Sequence, residues 1–329
     1  MLAQEVNIEE AIMPFKVQQL VEVIMKKCVL LFLFSIIIGC NLNARTQSDS
    51  IRIMQHLQSI TKTDGYRNYK NVLLLNQTAE YIFSIFHQYA DTTYYQPYQV
   101  NDVTYKNIVC RLGSTNNKPL VVIGAHYDIC GNQEGADDNA SGVVGLLEIV
   151  RLLSTEKLNY PVEFVAYSLE EPPFFRTENM GSYIHAKSLY DAGMPVYGMV
   201  TLEMIGYFND KTKSQYYPVK ALKVIYGSKG NYILLAKKFG TGKFVRKFST
   251  SFKKRATIKT KSIKAPMKWG IDLSDHQNYW KLGYPALMIT NTADYRNPHY
   301  HKRSDTMETL DISKMMKVID ATASAIINL

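Results

Sequence analysis

The segment Pro119-Leu-Val-Val-Ile-Gly-Ala125 decides the fold, and His126-Tyr127-Asp128 follows it at once. A short apolar run without alternation is typical of a strand buried on both faces of a parallel sheet. Polar residues directly after such a strand lie at the sheet edge where α/β proteins bind their ligands. The segment therefore predicts a class of fold and the position of a site.

Strands and helices alternate along the rest of the chain. After the central run, we predict strands at residues 162–168, 197–202 and 285–290, and helices at 140–153, 180–191, 276–282 and beyond Asp311. Before it, we predict helices at 50–61 and 78–88 and strands at 94–100 and 105–112. Alternation of this kind implies right-handed βαβ units. The predicted fold is α/β, a three-layer α/β/α architecture with a mixed, mostly parallel central sheet.

Length and composition are those of a globular protein. The chain has 329 residues, of which 46% are apolar and 20% charged. These values argue against a disordered chain and against a protein with many membrane spans. We expect one domain over residues 45–329.

The N-terminal segment has the features of an export signal. From Met25 the chain reads Met-Lys-Lys-Cys and then stays apolar to Cys40, interrupted only by Ser35. This pattern predicts a signal peptide at residues 25–44, and the apolar run is short for a membrane span. The end of the run, Ile37-Ile38-Gly39-Cys40, resembles the bacterial lipobox, which implies an exported lipoprotein of the cell envelope attached through lipidated Cys40. Cleavage near Ala44 would instead give a secreted or periplasmic protein, and a retained anchor is a third alternative. Residues 1–24 have no place in such a signal, and we expect them to be a non-native upstream extension.

Two cysteines remain beyond this segment, Cys110 and Cys130. In an oxidising compartment they could form one disulfide, and two free thiols are an equal alternative. Neither has a partner at C-x-x-C spacing, so a cysteine zinc site is not expected.

Positive charge is concentrated in one region. The net charge is +9, and no acidic residue lies between Asp210 and Asp272. Such a block could bind nucleic acid, anionic lipid or an acidic substrate, but a solvated insertion is the interpretation we favour. No nucleic-acid motif accompanies it, so nucleic acid is not an expected partner. Within it we predict a strand near residues 222–226 and a helix near 232–239.

Acidic residues and histidines follow the predicted strands in five segments. The segments are His126-Tyr127-Asp128, the run from Gly135 to Gly142, Glu170-Glu171, Glu203-Met204-Ile205-Gly206, and Asn297-Pro298-His299-Tyr300-His301. Each alone has an ordinary interpretation as a hydrogen-bonding residue, a helix cap or surface charge. Together at one sheet edge they would repel one another unless a cation lay among them. Carboxylate and imidazole ligands suit zinc and its first-row neighbours.

The order and spacing of these segments resemble the co-catalytic two-zinc aminopeptidase family, which includes bacterial leucyl aminopeptidases, glutamate carboxypeptidase and the transferrin-receptor ectodomain. The family pattern is H-x-D, D-D-N-x-S-G, E-E, an acidic residue before an M-I-G-like turn, S-D-H, and a histidine before D-T. The last two read Ser274-Asp275-His276 and His301-Lys-Arg-Ser-Asp305-Thr306. The likeness covers roughly residues 70–329, and it implies a zinc-exopeptidase-like fold.

The resemblance also implies roles for individual residues. His126 and Glu203 correspond to ligands of a first zinc, and Asp138 corresponds to the carboxylate that bridges two zinc ions. Glu171 and His301 correspond to ligands of the second zinc. Asp128 corresponds to the partner that orients His126. Glu170 corresponds to the general acid/base.

Two departures from the family pattern are visible. The family usually has aspartate where this chain has Glu203, and two prolines follow Glu171 in place of small residues. The expected reaction is hydrolysis of the N-terminal residue of peptides with a free amino terminus. Two zinc ions about 3.5–4 Å apart can share a hydroxide and polarise the carbonyl, and Glu170 would take the proton.

Three alternatives stay open. A glutaminyl cyclase would use the same scaffold with a single zinc. A non-catalytic binding lipoprotein would keep the fold without hydrolysis. Nucleic-acid binding through the basic block would give salt-sensitive affinity.

Overall fold

The computed structural model describes residues 47–114, 118–240 and 242–329, together with Met25 and Lys27. The chain divides into two compact units, Met1–Gln47 and Ser48–Leu329, and every element named below belongs to the second. Apart from Met25 and Lys27, the predicted signal and the predicted upstream extension lie outside the described residues. In the part of the chain that is described, no helix is both long enough and apolar enough to cross a bilayer.

An eight-stranded sheet forms the middle layer of the domain. Its strands are β1 (Thr92–Val100), β2 (Val103–Leu112), β3 (Leu120–His126), β4 (Val162–Tyr167), β5 (Val196–Glu203), β6 (Ile233–Lys237), β7 (Thr260–Lys264) and β8 (Ala286–Thr290). They lie in the order β1-β2-β4-β3-β5-β8-β6-β7. The central strands β4, β3, β5 and β8 are parallel, and antiparallel pairs flank them. The predicted α/β fold with a mixed, mostly parallel sheet is confirmed.

Helices cover both faces of this sheet. They are α1 (Ser50–Thr61), α2 (Val72–Tyr89), α3 (Gly142–Leu153), α4 (Gly181–Asp191), α5 (Ala221–Tyr226), α6 (Gly242–Arg255), α7 (His276–Lys281) and α8 (Ile312–Ile327). Apolar side chains of α1, α2, α3, α6 and α8 share one core with the sheet, and those of α4 and α7 form a second core on the other face. In α8 the side chains of Met315, Ile319, Ala323 and Ile326 recur at helical spacing and are buried, and Ile312 in the first turn is half-buried.

Gly124 explains how β3 fits against its neighbour β4. A Cβ at this position would lie 2.1 Å from the ring of Tyr167, so only glycine leaves room for that ring. The Tyr167 hydroxyl in turn lies 2.8 Å from the hydroxyl of Tyr279 in α7. This packing fixes the ends of β3 and β4, from which four of the site residues project.

The basic region differs from its prediction. Residues 222–226 form part of helix α5 and residues 233–237 form strand β6, so both predicted element types are wrong there. Strand β6 is antiparallel to β8, with Leu234 opposite Thr290, and this long-range pairing overrides the local pattern. Helix α6 buries Phe244, Phe248 and Phe252. The region is thus an integral edge of the domain, and its interpretation as a solvated insertion is wrong.

Candidate metal centre

His126 is the last residue of β3, and its orientation is set by Asp128. The Nδ1 atom of His126 lies 3.2 Å from the backbone oxygen of Asp128 and 3.5 Å from its Oδ1 atom. The two carboxylate oxygens of Asp128 accept hydrogen bonds from the backbone N–H groups of Glu170 and Glu171, each at 3.1 Å. One carboxylate therefore ties the end of β3 to the glutamate pair after β4 and leaves Nε2 of His126 facing inwards.

Asp138 lies between two histidines. Its Oδ1 atom is 3.5 Å from Nε2 of His126, and its Oδ2 atom is 3.1 Å from Nε2 of His301. Asp138 belongs to a π-helical segment, Ala136–Ser141, but its own backbone is non-helical (φ −105°, ψ 92°), which turns the side chain towards the sheet edge. Each oxygen of this carboxylate thus faces a different imidazole.

The remaining predicted residues gather on the two sides of Asp138. Glu203 at the end of β5 lies 3.5 Å from His126, measured from Oε2 to Nε2. Glu171 lies 3.3 Å from His301, also from Oε2 to Nε2. Glu170 points towards the first side, with its Oε2 atom 3.9 Å from Nε2 of His126. All seven predicted site residues therefore meet at the carboxyl edge of the sheet.

The two histidines of the 297–301 segment have different surroundings. The ring of His299 packs edge-on against Tyr207 and its Nδ1 atom lies 2.9 Å from the hydroxyl of Ser304. The ring of His301 stacks on Tyr300 at 3.8 Å between centroids and faces Asp138 and Glu171. His301 rather than His299 belongs to the cluster.

The cluster carries a large excess of buried negative charge. Eight carboxylates in and around it are buried, namely Asp128, Asp137, Asp138, Glu170, Glu171, Glu203, Asp275 and Asp305. The nearby groups of opposite sign include His126, His301 and the buried guanidinium groups of Arg67 and Arg296. Burying this many carboxylates is costly unless positive charge compensates them.

The pKa values of the site residues reflect this charge. Burial, reinforced by the charge of Asp138, raises the pKa of Glu171 to about 7. Burial and the nearby carboxylates Glu171 and Asp275 raise the pKa of Glu170 well above its usual value, although His126 opposes this. Burial alone would lower the pKa of His301, but the facing carboxylates of Asp138 and Glu171, at 3.1 and 3.3 Å, outweigh it and raise the pKa to about 10.

Several ligand-capable atoms in the cluster have no hydrogen-bond partner among the described residues. They include Oδ2 of Asp138, Oε1 of Glu171 and Nε2 of His301. Ligand atoms of His126, Asp138 and Glu171 lie within 4.8 Å of one another. Bare buried oxygens converging with imidazole nitrogens fit divalent cations such as zinc.

A supporting layer around the cluster was not assigned from the sequence. The hydroxyl of Ser274 donates to Oε2 of Glu203 at 2.6 Å. Both oxygens of Asp305 accept from the backbone N–H groups of Asp137 and Asp138, at 3.0 Å each. Ser274 and Asp305 lie in the S-D-H and D-T segments, so the motif located them but did not indicate what they contact.

Cys130 also lies at the cluster. Its Sγ atom is within 4.8 Å of ligand atoms of Glu171 and His301. Both Cys110 and Cys130 are free thiols, which decides between the two alternatives left open by the sequence. Neither the spacing of the cysteines nor the family motif indicated that Cys130 approaches the predicted ligands.

An apolar, largely aromatic pocket opens beside Glu203. Its wall includes Tyr216, Tyr226, Tyr232, Trp269, Leu273 and Met288. Most of these residues come from the basic region between Asp210 and Asp272, which therefore builds part of the site as well as the sheet edge.

The fold and the cluster together define an α/β protein with a carboxylate–imidazole centre at the carboxyl edge of its parallel strands. The sequence profile of Peptidase family M28 matches residues 107–326, and the chain belongs to this family. The resemblance drawn from the sequence motifs is confirmed.

Individual relatives agree with this assignment. The chain is 40% identical to the uncharacterized protein YfbL of Escherichia coli K12 over 278 residues, which cover 82% of this chain and 85% of that protein. It is 30% identical to the probable leucine aminopeptidase 1 of Trichophyton verrucosum over 212 residues, covering 60% of this chain and 51% of the fungal protein. The chain thus matches only about half the length of the fungal enzyme.

Solved structures show the same fold. LapB from Legionella pneumophila is similar with a TM-score of 0.67 and 22% identity, covering 86% of this chain and 73% of LapB. Glutaminyl cyclase from Tannerella forsythia is similar with a TM-score of 0.61 and 19% identity, covering 86% of this chain and 99% of the cyclase. Both likenesses concern the fold alone.

Proposed function

We propose that this chain is a zinc-dependent aminopeptidase that uses two zinc ions. His126 and Glu203 would hold one ion, Glu171 and His301 the other, and Asp138 both. The observation that carries the proposal is the two-sided arrangement of Asp138, whose oxygens face His126 at 3.5 Å and His301 at 3.1 Å. The names of the fungal relative and of other solved relatives, leucine aminopeptidase and zinc aminopeptidase, support the same activity and metal.

Bound zinc would supply Lewis acidity for the peptide carbonyl and lower the pKa of water. Glu170 would accept a proton from the attacking water and return it to the departing amine. Its position supports this role, because Asp128 anchors the N–H groups of Glu170 and Glu171 side by side while the two side chains approach different histidines. General acid–base help of this kind is typically worth about 10²–10⁴-fold in rate.

The pocket beside Glu203 supports a substrate with an apolar N-terminal side chain. Its aromatic wall is suited to an aliphatic or aromatic group, and the carboxylate of Glu203 forms part of its lining. The free amino group of the substrate would bind among these carboxylates, which favours removal of one terminal residue over internal cleavage.

The decisive experiment compares Glu170→Gln with the wild type for bound metal and for hydrolysis of aminoacyl amides. We expect unchanged zinc content and a fall in kcat of at least about 10²-fold, because the variant keeps the shape of the side chain but cannot take a proton. The exposed Glu178→Gln is the matched control and should retain full activity. Full turnover by Glu170→Gln would reject the assigned base.

Chelation provides an independent test of the metal. Treatment with phenanthroline should abolish hydrolysis, and added zinc should restore it, because the bare oxygens of Asp138 and Glu171 would again be compensated. Hydrolysis that persists in metal-free protein would contradict the proposal.

Glutaminyl cyclase activity is a second candidate, favoured by the fold likeness to the Tannerella forsythia enzyme. The two activities differ in metal number and in product. A peptide beginning with glutamine would lose ammonia in a cyclase and would release free glutamine in an aminopeptidase. One zinc per chain together with ammonia release would favour the cyclase.

Attachment to a bacterial envelope through lipidated Cys40 is a separate proposal that rests on the lipobox-like sequence. Labelling with a fatty-acid analogue should mark the wild type and not Cys40→Ser. Label on neither protein would leave secretion or periplasmic release as the better proposal.

A further inference from the structure

Cys130 lies beside the predicted metal ligands Glu171 and His301, although it is not part of the family pattern. It follows β3 at four residues after His126. Its Sγ atom, a nitrogen of His301 and a carboxylate oxygen of Glu171 all lie within 4.8 Å of one another. The other cysteine of the domain, Cys110, is fully buried within strand β2 and has no such neighbours in the described part of the chain.

A second observation points to a ligand at the same place. The Oε1 atom of Glu171 is buried and has no hydrogen-bond partner among the described residues, although only 5% of the side chain is exposed. Oδ2 of Asp138 is likewise buried and accepts no hydrogen bond, and it faces Nε2 of His301 at 3.1 Å. A buried oxygen without a partner costs about 1–3 kcal/mol, and a cation held jointly with the thiol would remove that cost.

We propose that the Cys130 sulfur is a fourth protein ligand of the second zinc ion, beside Asp138, Glu171 and His301. The inference rests on the proposed two-ion centre and adds a residue that the motif does not contain. Two oxygens, one nitrogen and one sulfur form a four-coordinate set that suits zinc, whereas a hard cation such as magnesium would not select the sulfur.

The ligand makes the two sites unequal. The first ion has three protein ligands, His126, Glu203 and shared Asp138, and keeps an open position. The second ion would have four protein ligands, the number found in tightly held structural zinc sites. We therefore expect the second ion to be retained more strongly and the first to exchange more readily.

Cobalt replacement tests this assignment directly. A thiolate bound to Co²⁺ gives a near-ultraviolet charge-transfer band, whereas nitrogen and oxygen ligands give only weak visible bands. The experiment loads Co²⁺ into the full-length wild type, Cys130→Ser, Cys130→Ala and the control Cys110→Ser. We expect the band in the wild type and in Cys110→Ser, and its loss in both Cys130 variants.

Affinity provides a second measurement. Competition with a chelator should show that one of the two ions is held at least about tenfold more weakly in Cys130→Ala, since even loss of an outer partner typically costs about 10–100-fold. Affinity of the other ion should not change.

Two outcomes overturn the assignment in different ways. Wild-type protein that binds two Co²⁺ ions and hydrolyses aminoacyl amides, yet shows no charge-transfer band, refutes Cys130 as a ligand and leaves the aminopeptidase proposal standing. Protein that binds no Co²⁺ or Zn²⁺ refutes the two-ion centre itself and the ligand with it. The wild-type spectrum decides the first outcome even if a variant folds poorly.

Discussion

Ser274→Ala removes one hydrogen bond from one side of the candidate metal centre and changes little else. The hydroxyl is fully buried and donates to Oε2 of Glu203 at 2.6 Å. Two other nitrogens approach that oxygen, Nδ2 of Asn139 and Nε2 of His126, but both lie at 3.5 Å and are weak substitutes. Glu203 would therefore lose its principal anchor while keeping its own chemistry.

The size of the effect follows from the type of bond. A hydrogen bond to a carboxylate contributes about 1.5–3 kcal/mol, which corresponds to roughly a 10–150-fold change in an equilibrium constant. We expect the dissociation constant of the ion held by His126 and Glu203 to rise by about that factor. The ion held by Glu171 and His301 should keep its affinity, because Ser274 contacts neither residue.

The assay is a chelator competition that separates the two ions, with bound zinc counted by elemental analysis. Ser249→Ala is the control, because Ser249 is also buried but lies in α6 beside Lys237. The reasoning is refuted if both ions keep wild-type affinity, or if both weaken equally.

Three further predictions test the packing, the electrostatics and the aspartate pair. Gly124→Ala should lower the free energy of unfolding by about 3 kcal/mol, because the added Cβ would lie 2.1 Å from the ring of Tyr167. A variant that has the wild-type free energy of unfolding in urea would contradict this. Burial lowers the pKa of His56 to about 4, so its neutral form stabilises the fold above pH 6.5 and this contribution is lost as pH falls towards 4. Between pH 7 and 5 the free energy of unfolding should fall by about 2 kcal/mol through His56 alone. Urea denaturation of His56→Gln over the same pH range should show a weaker dependence of the free energy of unfolding on pH, and the same dependence as in the wild type would contradict the assignment. Asp138→Asn should weaken the binding of both zinc ions, because it removes the charge of the shared ligand, whereas Asp137→Asn should act through the scaffold and destabilise the metal-free protein by about 1–3 kcal/mol. Zinc titration and calorimetry of metal-free samples distinguish the two, and an Asp137→Asn protein of wild-type stability that loses as much zinc affinity as Asp138→Asn would refute the separation.

The sheet core was predictable because its strands are long apolar runs that only a buried parallel sheet accommodates. The run before His126 became β3, and the runs before Glu170 and Glu203 became β4 and β5. Residues at the ends of adjacent parallel strands must meet at one edge. The meeting of His126, Glu170 and Glu203 therefore followed from the order of the elements and needed no knowledge of side-chain contacts.

The basic edge was not predictable in the same way. Residues 222–226 and 233–237 are both segments of five with four apolar residues and one lysine, too short for their period to distinguish a helix from a strand. Pairing of Leu234 with Thr290 decides that the second run is a strand, and that partner lies far along the chain. Helix α6 did carry a local signal, since Phe244, Phe248 and Phe252 recur every four residues, but the surrounding lysines suggested a solvated segment.

Asp137 and Asp138 show why the residue type alone does not distinguish a metal ligand from a residue that supports the site. The Oδ1 atom of Asp137 accepts from the backbone of Gly206 and Tyr207, and its Oδ2 atom accepts from the amides of Asn291 and Asn297. Every oxygen is occupied, so the side chain holds three loops together and has no lone pair directed at the centre.

The carboxylate of the next residue, Asp138, differs from that of Asp137 in its hydrogen bonding. Its Oδ2 atom is buried and bare, and its backbone leaves the helical conformation so that the side chain turns away from that of Asp137. Asp128 and Asp305 repeat the pattern of Asp137, because both oxygens of each accept backbone N–H groups. At this centre Asp128, Asp137 and Asp305, whose oxygens all accept hydrogen bonds, act as scaffold, whereas Asp138 and Glu171 each keep an oxygen that accepts no hydrogen bond and is available to a cation.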